Sequence, residues 1–112
     1  MLSLAIRARP MADRMILVSD AMPTVAGPDS FQLYGQPITL SDGRLVNAAG
    51  ALAGAHVTML QSLRFAVAAL AQPVETPLRM AISNPARLMG LDGPANEVLL
   101  VGPDLRACSW LL

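Results

Sequence analysis

Few residues in this chain could do chemistry, and one of them stands out by its setting. Asp20 follows the apolar run Met15-Ile16-Leu17-Val18, with Ser19 between, and Pro23 comes shortly after. Four apolar residues in a row read as a short strand buried on both faces, as parallel strands are, and a proline cannot continue its ladder. A carboxylate at the C-terminal end of a buried parallel strand sits where α/β barrels place their chemistry. The chemistry it offers is proton transfer to or from a reacting group. The bland alternative is a carboxylate that caps the turn after the strand. His56 is the only histidine and Cys108 the only cysteine. His56 lies in a largely apolar stretch and is expected not to be a metal ligand. A single cysteine excludes an internal disulfide framework and fits a reducing, cytoplasmic setting. No glycine-rich phosphate loop of either common spacing is present.

The elements that must position these residues follow from periodicity and punctuation. Leu2 to Arg9 carries Leu2, Ile6 and Arg9 at helical spacing and reads as the tail of a helix ended by Pro10. Thr24 to Ser30 has loop composition. Phe31-Gln32-Leu33 and Ile38-Thr39-Leu40 alternate, and Asp42-Gly43 is a strong hairpin signal joining Ile38–Ser41 to Arg44–Asn47 through a type I′ turn. Gly50 to Gly54 holds two glycines in five residues, the backbone expected close to a ligand. Spacing alone equally allows Gly54 merely to permit a tight helix entry. Ala55 to Ala71 is the longest helical pattern, with Val57, Leu60, Leu63, Val67 and Leu70 in one stripe. Its apolar surface extends round most of the helix, which implies cover on more than one side. Thr76-Pro77 reads as N-cap and N1 of a helix reaching about Ser83. Asn84-Pro85 repeats the device for a short turn closed by Gly90, so Asn84 is expected to be structural rather than catalytic. Asp92-Gly93-Pro94 is a loop, and Glu97–Val101 and Arg106–Leu111 read as two strands joined through Gly102-Pro103-Asp104.

Three of these stretches carry a resemblance. Ile16-Leu17-Val18-Ser19-Asp20-Ala21-Met22-Pro23 resembles the last barrel strand of the N-acetylglucosamine-6-phosphate deacetylases, metal-dependent amidohydrolases. Leu52-Ala53-Gly54-Ala55-His56-Val57-Thr58-Met59 and Met80-Ala81-Ile82-Ser83-Asn84-Pro85-Ala86-Arg87 are similar to two later stretches of that family, in the same order. The resemblance runs from roughly Ser3 to Trp110 and covers about the last third of the family's usual length. Gly102 fits the family's terminal strands, whereas Asp104-Leu105-Arg106-Ala107 departs from their pattern.

The resemblance implies an α/β fold, the C-terminal segment of a metal-dependent amidohydrolase TIM-type barrel. That segment comprises the last barrel strand and its helices, with a β-hairpin excursion at about 31–47. It forms a single partial domain over 1–112, barrel within 1–91 and strands of a small sandwich within 92–112. Asp20 is implied to be the catalytic acid/base, and Leu52, Ala53 and Gly54 to contact the sugar. A divalent metal, zinc or iron, is implied for the whole enzyme. Its ligands, a glutamate and two histidines, come from earlier barrel strands with no counterpart here, as do the phosphate contacts and a substrate histidine. No metal ligand is assigned in this chain, Asp20 being the one residue that could join such a set. The chain alone is therefore expected to bind no metal and to be inactive.

Composition bounds the partners. Of 112 residues 54% are hydrophobic and 14% charged, with a mean hydropathy of +0.48, where soluble domains average about a quarter charged. Surplus apolar surface calls for a partner: the N-terminal barrel portion, or a second copy of the chain. Eight basic and eight acidic residues give zero net charge, no footprint for nucleic acid. Neither a signal peptide nor a membrane span is legible. A second reading, from a different class, is a non-catalytic module that self-associates through its apolar surface.

Overall fold

In the computed structural model, residues 1–9, 11, 14–91, 97–106 and 108–111 are described, Cys108 by its backbone alone. The chain clusters into two compact units, Ser19–Thr58, and Met1–Val18 together with Met59–Leu112. The expected loop at Asp92-Gly93-Pro94 lies outside the described residues.

The second unit begins with α1, Leu2–Ala8, which buries Ile6. Arg9 turns extended, as a residue before proline is driven to do, and its guanidinium donates to the Ile6 carbonyl. α2 spans Met59–Ala68, four residues shorter at its start than the periodicity predicts. The reason lies at Ala55, which is held in a parallel bridge with Ala21 and is therefore extended. Leu63 and Ala66 form the buried face of α2. That face is rotated from the predicted stripe, in which Ala66 had no part.

α3, Glu75–Leu78, a π-helical turn, Arg79–Ser83, and α4, Asn84–Leu88, follow one another without interruption. Two separately capped helices were expected, but neither Thr76 nor Asn84 is a cap. Val74 and Ser83 occupy those positions in helical conformation, without side-chain capping bonds. Pro77 falls in the first turn of α3, where its missing N–H costs little. Pro85 lies deeper in the continuous run and cannot bond back to an earlier carbonyl. The run widens ahead of it into the π register, in which the Asn84 amide donates to the Arg79 carbonyl. α4 closes as the sequence predicts: Gly90 has φ +70, its amide donates to the Arg87 carbonyl, and the Leu91 amide to the Ala86 carbonyl. That pair of bonds is a Schellman motif.

β4, Val98–Val101, and β5, Cys108–Leu111, pair antiparallel, Leu99 opposite Trp110. Val98, Leu99, Leu100, Trp110 and Leu111 are all exposed. Both strands were expected, a residue or two longer. Ala107 lies outside the described residues.

The other unit contains β1, Ser30–Leu33, β2, Gln36–Ser41, and β3, Arg44–Asn47, in the order β1-β2-β3. Ser41 lies opposite Arg44 and Leu33 opposite Gln36, so both connections are two-residue turns. Asp42 and Gly43 have φ of 50° and 72°, Tyr34 and Gly35 of 50° and 77°, which is the type I′ pattern. The first turn was predicted; the second hides behind a tyrosine. Pro37 is tolerated in the central strand because β3 reaches only to Asn47, opposite Ile38. Ile38 and Leu45 are buried, at 3% and 0% exposure, and form this unit's core with Thr24.

Met15–Asp20 belongs to no strand, which corrects the prediction of a ladder-paired strand over Met15–Val18. A parallel strand needs neighbours on its edges. Here the Leu17 amide donates to the Met80 carbonyl at 2.8 Å and the Met15 carbonyl accepts from Asn84 Nδ2 at 2.7 Å. A helix takes the place of a strand along that edge. Among the described residues no helix is long and apolar enough to cross a membrane.

Candidate functional site

The Ser19–Thr58 unit gathers the residues that the sequence singled out. Ala21 and Ala55 form a parallel bridge, and the Met22 amide donates to the Ala55 carbonyl at 3.1 Å. Asp20 and Gly54 each precede one partner of this bridge. Ala53 and Leu52 continue from there. The Ala53 amide donates to the Leu45 carbonyl at 2.8 Å, and Leu52 bridges Val46 antiparallel. The loop that returns the chain is tied by Asn47, whose Oδ1 accepts from the Ala49 and Ala51 amides at 3.0 and 2.9 Å. Asp20 and the Leu52-Ala53-Gly54 stretch thus each lead into one partner of the Ala21–Ala55 bridge. Asp20 and Leu52 are exposed, Ala53 and Gly54 half-buried.

Asp20 has φ 50, a left-handed conformation that costs a non-glycine residue about 1 kcal/mol or more. Five other non-glycine residues share it: Ala26, Tyr34, Asp42, Ala71 and Leu105. Ala26, Tyr34 and Asp42 lie in turns, Leu105 in the β4–β5 connection, and Ala71 just past α2. Asp20, like Ala71, sits outside any turn, and it lies next to the bridged Ala21. Among the described residues its carboxylate accepts no hydrogen bond, whereas a turn-capping aspartate would accept one from an amide shortly after it.

Gly54 has φ +144, and a Cβ there would lie 2.7 Å from Met22 Cγ and 3.5 Å from Leu45 Cδ1. It is not a helix entry, since α2 starts at Met59. Its conformation and its lack of a side chain let the 52–55 segment close on Met22.

His56 is half-buried, and its Nδ1 lies 2.9 Å from the hydroxyl of Thr24, which is 2% exposed. Nothing in the sequence signalled Thr24, because its partner is 32 residues away. The resemblance implies a divalent metal for the whole enzyme, and the described residues do not fit one. They hold no converging group of three or more His, Cys, Asp or Glu side chains, and the single imidazole is already engaged by Thr24.

No family model matches the chain. Individual proteins do. The chain is 32% identical over 89 residues to the N-acetylglucosamine-6-phosphate deacetylase of Haemophilus influenzae, covering 77% of this chain and 23% of that protein. It is 30% identical over 82 residues to a putative N-acetylgalactosamine-6-phosphate deacetylase of Escherichia coli, covering 72% of this chain and 49% of that one. The crystal structure of N-acetylglucosamine-6-phosphate deacetylase from Pasteurella multocida superimposes with a TM-score of 0.82 and 26% identity, over 93% of this chain and 29% of that chain. The protein is thus a relative of hydrolases that deacetylate amino-sugar phosphates. More narrowly, it belongs to the N-acetylglucosamine-6-phosphate deacetylase family, and what it matches is a portion of those enzymes, consistent with their C-terminal part. The chain spans between about a quarter and a half of the length of these relatives.

Proposed function

We propose that this chain contributes the proton-transfer group and part of the sugar contact to a deacetylase acting on N-acetylglucosamine 6-phosphate, giving glucosamine 6-phosphate and acetate. The observation that supports this reading is the Ala21–Ala55 bridge, which joins the stretch following Asp20 to the stretch following Leu52-Ala53-Gly54. Asp20 takes a proton from the water that attacks the acetamide carbonyl. It then delivers the proton to the departing amine as the C–N bond breaks. Its exposed carboxylate, unclaimed by neighbouring amides, is available for both transfers. Leu52, Ala53 and Gly54 present backbone and small side chains against which a sugar ring can lie. The Haemophilus relative supports glucosamine over galactosamine by its name and slightly higher identity. In this reading the metal-binding residues come from outside the chain, as the resemblance implies.

The test is a chimera in which this chain replaces its matched portion of the Haemophilus enzyme. The chimera should release acetate from N-acetylglucosamine 6-phosphate, and Asp20→Asn should lower the rate about 10²–10⁴-fold. An unchanged rate would reduce Asp20 to a turn residue. A second reading, a self-associating module without catalysis, is favoured by the apolar residues exposed on β4 and β5. A folded but inactive chimera, together with a stable dimer of the chain, would select it.

A further inference from the structure

Met15 and Leu17, just ahead of Asp20, are bound along one edge by a helix, and the way that helix is built explains how. In an α-helix the Met80 carbonyl would accept the Asn84 amide. Here that amide goes to the Arg79 carbonyl instead. The next amide along the chain, which would serve Met80 in the π register, belongs to residue 85, and residue 85 is a proline without an N–H. Met80, 5% exposed, is left with a carbonyl that no helical amide claims, and Leu17 N–H donates to it at 2.8 Å. Asn84, 3% exposed, supplies the complementary donor: its Nδ2 reaches the Met15 carbonyl at 2.7 Å. The carbonyl of one residue and the amide of the next but one face the same side of an extended chain. One acceptor and one donor on the helix therefore match the edge of a strand.

We propose that the Asn84-Pro85 pair is a positioning device: proline frees a main-chain acceptor, asparagine adds a side-chain donor, and together they fix the Met15–Leu17 segment, which precedes Asp20 in the chain. Its consequence for catalysis rests on the reading of Asp20 given above. Asn84 and Pro85 touch neither substrate nor reacting atoms in this account; they act through the backbone of Met15 and Leu17.

Amide hydrogen exchange on the isotopically labelled full chain tests the device. Asn84→Asp keeps the shape and removes the donor. Pro85→Ala restores an amide and lets Arg79–Ser83 revert to the α register, in which Asn84 N–H claims the Met80 carbonyl. Pro85→Ala also improves helix propensity, so it decides the matter even where Asn84→Asp fails to fold. Each variant should speed exchange at Leu17 roughly tenfold while leaving the amides of β2 and β3 unchanged. Unaltered exchange at Leu17 would overturn the inference, and so would a uniform rise across the chain, the mark of general destabilisation. In the chimera, Pro85→Ala should lower kcat roughly tenfold with KM within about twofold; a raised KM at full kcat would refute a positioning role. The two proposals fail separately. Leu17 exchange decides the anchor whatever Asp20 does, and a fully active Asp20→Asn chimera removes the role of Asp20 whatever Leu17 does.

Discussion

At the scale of single residues, Asp20 and Gly54 each precede one partner of the Ala21–Ala55 bridge. The left-handed backbone at Asp20 would suit glycine better than aspartate. Asp20→Gly should therefore raise thermal stability or leave it unchanged, by up to about 1 kcal/mol, while removing any proton transfer. A clear loss of stability on calorimetry would show that the carboxylate supports the fold. Gly54→Ala should act in the opposite sense. Its Cβ would meet Met22 at 2.7 Å in a conformation that side chains rarely adopt, so a destabilisation of about 1–3 kcal/mol is expected in urea unfolding. A neutral Gly54→Ala would mean that the 52–55 segment shifts freely. Thr24→Val removes the hydroxyl from His56 Nδ1 and should cost about 1–3 kcal/mol by the same measurement.

At the scale of elements, what was legible depended on how local the cause was. The Asp42-Gly43 turn, the Gly90 helix end and the two terminal strands are each specified by residues within a few positions of themselves, and each was readable. The Tyr34-Gly35 turn adopts the same geometry, yet tyrosine is a poor residue at positive φ, so its signal was weak. Tyr34→Asn should relieve that mismatch and stabilise the β1–β2 hairpin by about 1 kcal/mol. Tyr34 is 98% exposed, so little packing is lost, and a drop in the unfolding midpoint would contradict this account. The start of α2 and the fusion of α3 with α4 were misread because distant partners decide them. Ala55 is held extended by Ala21, and the π turn before Pro85 is held by Met15 and Leu17. The sequence nominated Asp20 and the 52–54 segment, and the Ala21–Ala55 bridge joins the stretches that follow them. The bonds of Thr24 and Asn84 were not legible, since they run across 32 and 69 residues.

At the scale of the whole molecule, the composition already pointed to apolar surface in excess. The coordinates give it places: β4–β5, with Val98, Leu99, Leu100, Trp110 and Leu111 exposed, Phe65 on α2, and Leu88, Met89 and Leu91 at the end of α4. A two-stranded sheet is marginal in water without a face to pack against. The chain should self-associate at micromolar concentration, as burying such surface is favourable by ~25 cal/mol per Å². Sedimentation showing a monomer that binds no hydrophobic dye would overturn this.

The span between Met15 and Asn84 also sets an order of events during synthesis. The β1–β2–β3 meander is closed by two-residue turns and can form in microseconds once Asn47 has emerged. The bond from Asn84 to Met15 bridges 69 residues, and at about 5–20 residues per second the ribosome delivers Asn84 roughly 3–14 s after Met15. Throughout that interval the segment leading to Asp20 has its apolar run translated and its helical partner not yet made. Met15–Val18 is therefore among the last parts of the nascent chain to find its place, and it is the stretch that a chaperone would have most reason to hold.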